Sequence, residues 1–147
     1  MKKDPFVAGV LAAGLANTIV NGLDFFVYRM QLTEHPIWHL AASVYLPTTE
    51  AKTLIGRLIG VVTDYGVATG VGLILVYILY RTGTDHFYLK GMIGGFFSWL
   101  FIFGVIVRSG LVRLEPIDPA TNLFHMFNHL LLGGLLGWLA HRFLPDY

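Results

Sequence analysis

With 147 residues the chain has room for one helical bundle and no second domain, because a membrane-crossing helix and its connection consume about 30 to 35 residues. Hydrophobic residues make up 55% of it, charged residues only 13%, and the mean hydropathy is +0.65, so lipid must be part of its solvent. A net charge of +1 with the ten Lys and Arg scattered along the chain excludes a nucleic-acid patch, and the lack of cysteine excludes disulfides, thiolate metal sites and Cys nucleophiles.

In chain order, Met1-Lys2-Lys3-Asp4 leads into an apolar run over about 6–28. A signal peptide begins in the same way, but this run reaches Val20 and beyond without a convincing small-x-small cleavage site and is expected to be retained as a first span. Asp4-Pro5 supplies an N-cap carboxylate followed by a proline at the first helical position, where its missing N–H costs nothing. The stretch 35–46 is too short to cross and places Trp38, Ala42 and Tyr45 on nearly one face, which predicts a short interfacial helix. Apolar segments over about 52–80, 88–107 and 120–142 predict three further spans. Pro47-Thr48-Thr49-Glu50 is expected to open the first of these, Asp85 to cap the second, and Asp118-Pro119 to start the third. The fold class is therefore all-α, a four-helix membrane bundle with an interfacial helix between spans one and two.

An even number of spans puts Lys2, Lys3, Arg81, Lys90 and Arg142 on one side, against Arg29, Lys52, Arg108 and Arg113 on the other. The first helix usually dominates orientation and both lysines precede it, so both termini are expected in the cytoplasm of a cell membrane. Of the 17 glycines, Gly56 and Gly60, Gly66 and Gly70, Gly91 and Gly95, and Gly133 and Gly137 stand at helix-packing spacing. Such pairs let backbones approach within a chain or between copies, where lipid supplies no hydrophobic drive.

Ionisable groups in hydrocarbon cost a few kcal/mol each on insertion scales and normally face the bundle interior. At about 1.5 Å of rise per residue, the midpoints of the four spans fall near Asn17, Asp64, Ser98 and His129. A second layer lies seven residues away at Asp24, Arg57 and Asn122, with Asn21 and His125 between the layers. Two helical turns preserve a face, so Asn17, Asn21, Asp24, Arg57, Asp64, Ser98, Asn122, His125 and His129 are expected to line a polar seam in one half of the bundle. Such side chains can satisfy one another, with Arg57 neutralised by Asp24 or Asp64. Alternatively the seam holds water, and Asp64 with His129 handles protons or cations.

His125 and His129, like His35 and His39, have the spacing of helical metal ligands, but no third ligand is specified and the metalloprotease glutamate is missing. A haem between spans needs a histidine from each of two helices at matched depth, and the other membrane-depth candidates are not histidines. Ser98 and His129 invite comparison with an intramembrane serine hydrolase, yet Gly94-Gly95-Phe96-Phe97-Ser98-Trp99 lacks the glycine pattern around the nucleophile of rhomboid-type proteases. No metal, cofactor or catalytic residue is expected.

Lys3-Asp4-Pro5-Phe6-Val7-Ala8-Gly9-Val10, Leu89-Lys90-Gly91 through Trp99, and Pro116-Ile117-Asp118 through Gly137 resemble segments of small four-span membrane proteins of unknown function from clostridia and related spore formers. The resemblance covers most of the chain. It implies four spans in a bacterial inner membrane and no particular activity. The expected function is that of a non-enzymatic membrane protein whose partners are the lipid bilayer, further copies of itself or other membrane subunits. A proton, ion or small-solute pathway through the seam is the alternative, with a His-ligated metal or haem site behind it.

Overall fold

The computed structural model describes residues 4–113 and 117–144, in which every regular element is helical. Lys2, Lys3 and Pro116, used above for orientation and resemblance, lie outside the described residues. Four helices are long and apolar enough to cross a membrane. They are α1 (Pro5–Arg29), α4 (Leu54–Thr82), α5 (Phe87–Phe101, continued by a wider turn at Ile102–Ile106) and α6 (Pro119–Phe143), while α2 (Ile37–Ser43) and α3 (Thr48–Ala51) fill the connection from α1 to α4. The bundle thus has a near side, where α1 starts and α6 stops, and a far side that carries α2 and α3.

The two Asp-Pro starts work as the sequence suggests. Asp4 accepts from the Phe6 N–H at 2.8 Å, and Asp118 from the Ala120 and Thr121 N–H groups at 2.9 and 3.0 Å. The Thr121 hydroxyl and these backbone donors hold the Asp118 carboxyl below the usual carboxylate range. The other two starts differ from expectation. Pro47-Thr48-Thr49-Glu50 opens the one-turn α3, and α4 begins after Thr53, whose hydroxyl accepts from the Gly56 N–H at 3.1 Å. Asp85 does not cap α5, because His86 precedes the helix in the left-handed conformation at φ 55° and makes no side-chain cap bond.

Helices α5 and α6 form the closest pair. A Cβ on Gly91 would run into the backbone of Gly133, one on Gly95 into the carbonyl of His129, and one on Gly137 into the carbonyl of Phe87. On the far side Gly56 and Gly60 do the same for α4, letting the Glu50 and Ala51 carbonyls and that of Trp38 reach its surface. Gly66 and Gly70 do not belong with these pairs, since nothing stands within 4 Å of a Cβ built on either and both are exposed. Gly72 takes their place, packed between Ala13 and Gly9 of α1.

The near half is an apolar core of Ala12, Ala13 and Ala16 from α1, Leu75, Val76 and Leu79 from α4, and Leu132 and Leu136 from α6. A smaller cluster of Leu40, Phe103 and Val112 closes the far end. The outer surface carries large exposed side chains, among them Phe6, Leu15, Ile19, Phe26, Leu58 and Val62. A belt of this extent is stable against lipid rather than water.

The short α2 stands between spans one and two as expected, but the face it exposes is not the one its pattern suggests. His39, Leu40, Ala42 and Ser43 are all buried, while Tyr45 is 59% exposed, so the face assigned to Trp38, Ala42 and Tyr45 is split. Two contacts pull α2 inward: its backbone rests on Gly60, and the Ile37 N–H donates to Asp24 Oδ2 at 2.7 Å.

Candidate functional site

The polar side chains of the far half bond chiefly to one another. Asn17 and Asn21, one turn apart on α1, both donate their side-chain amides to Asp64 Oδ2 of α4, at 2.6 and 2.7 Å. One turn further on, the fully buried Asp24 accepts from Ile37 of α2 and, at a long 3.5 Å, from the Asn128 amide of α6. His125 Nδ1 stands 3.8 Å from Asp24 Oδ1, beyond hydrogen-bond reach. His125 Nε2 donates to the His35 carbonyl at 3.1 Å, and His129 Nδ1 donates to the His125 carbonyl at 2.8 Å. The ring of Phe103 lies over that of His125 and edge-on to that of His129, with centroids 5.3 and 5.8 Å apart. The wider turn at Ile102–Ile106 carries this phenylalanine, a local helix geometry that recurs at functional sites.

Of the nine expected seam residues, Arg57 and Asn122 stand apart and Ser98 makes no hydrogen bond to the others. Arg57 is exposed and donates its Nε to the Lys52 carbonyl at 3.1 Å, so no Arg neutralises the aspartates. The buried line on α4 runs Gly56, Gly60, Asp64, Ala68 and Gly72 at spacing four, which turns about 40° per step and carries the face away from Arg57 at the far end. Ser98 donates to the Gly95 carbonyl at 2.7 Å and is not hydrogen-bonded to His129, so the pair lacks the contact a nucleophile needs. Asn122 is half-buried with its Oδ1 unpartnered and joins none of the seam bonds. Asn128 and Thr121 occupy the inward face of α6 instead, Thr121 accepting from the Glu34 N–H at 2.9 Å. Among the described residues no three His, Asp or Glu side chains are placed to hold a metal ion.

His39 is buried without a hydrogen bond to either ring nitrogen, between the rings of Tyr28 and Trp38. Burial, reinforced by Arg57, His35 and Lys52, pushes its pKa down to about 4. The unfolded chain, with an ordinary histidine near 6.5, takes up the proton first as pH falls, so this contribution to stability is complete above about 6.5 and is lost toward 4. His39→Phe fills the same space without an unpaired polar group and is expected to reduce acid destabilisation by roughly 1 kcal/mol at pH 5. Thermal unfolding at pH 7 and pH 5 checks this, and an identical loss in the variant and the wild type would contradict it.

Consecutive antiparallel helices ordinarily pack against each other, but α4 and α5 touch only slightly and leave a cleft of about 840 Å³ between them, floored by α2 and α6. Its rim residues Ile74, Phe97 and Phe101 are 65%, 63% and 59% exposed, so the cleft opens sideways on the apolar outer surface. Its walls are aliphatic and aromatic. Asn17, Asp64, Asn128 and His129, from three different helices, line it from within. Sequence reading placed most of these groups at one depth but gave no hint of the cleft, which arises from how two helices diverge. No known protein family, curated protein or solved structure matched the chain.

Proposed function

We propose that this protein is a non-enzymatic, multi-pass protein of a bacterial inner membrane, with both termini cytoplasmic, that holds a lipid-like molecule in the cleft between α4 and α5. One observation carries the proposal: an apolar cleft of about 840 Å³ with a lipid-facing mouth and a few polar groups at its inner wall. Ligand sites have this size and this mix of apolar walls and sparse polar groups. Gly70→Phe tests it, because Gly70 lines the cleft and has nothing within 4 Å of a built Cβ, so the ring fills the cleft without displacing a helix. Native mass spectrometry of the wild type is expected to show a retained lipid adduct, lost in Gly70→Phe at unchanged thermal stability. A variant that keeps the adduct would contradict the proposal.

Self-association is supported by a separate observation. Gly66 faces outward with open space around it, and small residues on a lipid-exposed face let a second helix approach. Gly66→Leu is expected to shift a dimer toward monomer in crosslinking while leaving the adduct in place. A conducting pathway has less support, since the seam side chains bond one another and the Leu40, Phe103 and Val112 cluster covers their far end.

A further inference from the structure

The polar atoms left over at the inner wall of the cleft are mostly acceptors, the exceptions being the second amide N–H of Asn17 and of Asn128. Asp64 Oδ2 takes both asparagine amides, which leaves Oδ1 without a hydrogen bond. His129 spends its Nδ1 proton on the His125 carbonyl, which leaves Nε2 of the neutral form of the ring as an acceptor. Ser98 spends its proton on Gly95, and Asn128 points its amide at Asp24. Asp64 and His129 are 9% and 7% exposed, and both line the cleft.

The cations that could have made this wall attractive to an anion are engaged elsewhere. Arg57 is turned out to the Lys52 carbonyl. Lys90, at the near end of the cleft, donates to the Thr82 carbonyl and hydroxyl and to the Gly83 carbonyl at 3.2, 3.0 and 2.8 Å, closing off the C-terminus of α4. A carboxylate or phosphate head would face the Asp64 carboxyl with only the second amide N–H of Asn17 and of Asn128, and no cation, to meet it.

Resting on the lipid-binding proposal above, we infer that the ligand of the cleft is a long-chain amphiphile with a hydrogen-bond-donating, ammonium-type head, seated at Asp64 and His129 with its chain along α4 and α5. Burial of a charged head is tolerable only beside a partner charge with its hydrogens satisfied, and the carboxylate form of Asp64, with the other acceptors that line the same cleft, supplies both.

The test uses the full chain in phosphatidylcholine nanodiscs and three probes with the same tail: hexadecylamine, hexadecanol and hexadecanoic acid. Binding is read by native mass spectrometry for wild type, Asp64→Asn and Gly70→Phe. Hexadecylamine is expected to bind at least about tenfold more tightly than hexadecanoic acid. Asp64→Asn should remove that preference while hexadecanol binding persists, which also shows that the variant is folded, and Gly70→Phe should remove all three ligands. An acid that binds as well as the amine, or amine binding indifferent to Asp64→Asn, overturns the inference and leaves the cleft a lipid site. Failure of all three probes to bind overturns both.

Discussion

Gly133→Ala is expected to destabilise the protein by about 2 to 3 kcal/mol, although alanine is the better helix former. The added methyl would collide with the Gly91 carbonyl oxygen and carbon and the Gly95 nitrogen, which are backbone atoms of a facing helix and have no rotamer to change. Gly91→Ala and Gly95→Ala meet the same obstacle from the other side, in the backbones of Gly133 and His129. Gly66→Ala and Gly14→Ala meet nothing within 4 Å and should be neutral or stabilising by up to about 1 kcal/mol through helix propensity. Unfolding in mixed micelles across these five variants reads the contrast in sign. Equal effects at Gly133 and Gly66 would mean that α5 and α6 do not cross at their glycines.

The second large effect is expected at Asp24. This carboxyl is fully buried and holds three elements together, accepting from Ile37 of α2 and Asn128 of α6 while belonging to α1. Asp24→Ala leaves the Ile37 N–H and the Asn128 amide without partners in a region of low dielectric, a loss of about 3 kcal/mol, and frees α2 from its seat. Asp24→Asn retains an oxygen for the Ile37 N–H and should lose less than half as much. Hydrogen exchange at 37–43, the stretch containing α2, reports the release directly. Exchange there unchanged in Asp24→Ala would show that packing on Gly60 alone holds α2.

The parts of this architecture legible in the sequence are those set within one helix. Apolar length gave the spans, and Asp4-Pro5 and Asp118-Pro119 gave two of their starts. Depth counting gathered Asn17, Asn21, Asp24, Asp64, His125 and His129, because rise per residue is nearly invariant. Helical rotation was less transferable. Arg57 and Asn122 sit at the right depth on the wrong face, since a face continued at spacing seven diverges from one that winds at spacing four. Asn128, three residues beyond His125, was within reach of the same reasoning and marks the actual inward line of α6.

Features that depend on two or more helices were legible only in part. Gly66 and Gly70 have the spacing of Gly91 and Gly95 but meet no neighbouring helix, Gly70 opening on the cleft, and only the position of a neighbouring backbone separates the two cases. Burial of α2 follows from Asp24 and Gly60 reaching it from different helices. Divergence of α4 from α5 is likewise a property of the pair.

The cleft is tested most directly by photocrosslinking, which the absence of native cysteine makes simple. Single cysteines at Ile74 and Phe97 on the cleft rim, and at Ile19 and Leu58 on the outer surface, would each carry a benzophenone in membranes containing long-chain lipid. All four positions are exposed on the apolar surface, but a chain held in the cleft should give several-fold higher lipid crosslinking at the first two, and Gly70→Phe should reduce these to the level of the others. Equal crosslinking at all four positions, unaffected by Gly70→Phe, would contradict a cleft that holds a lipid chain.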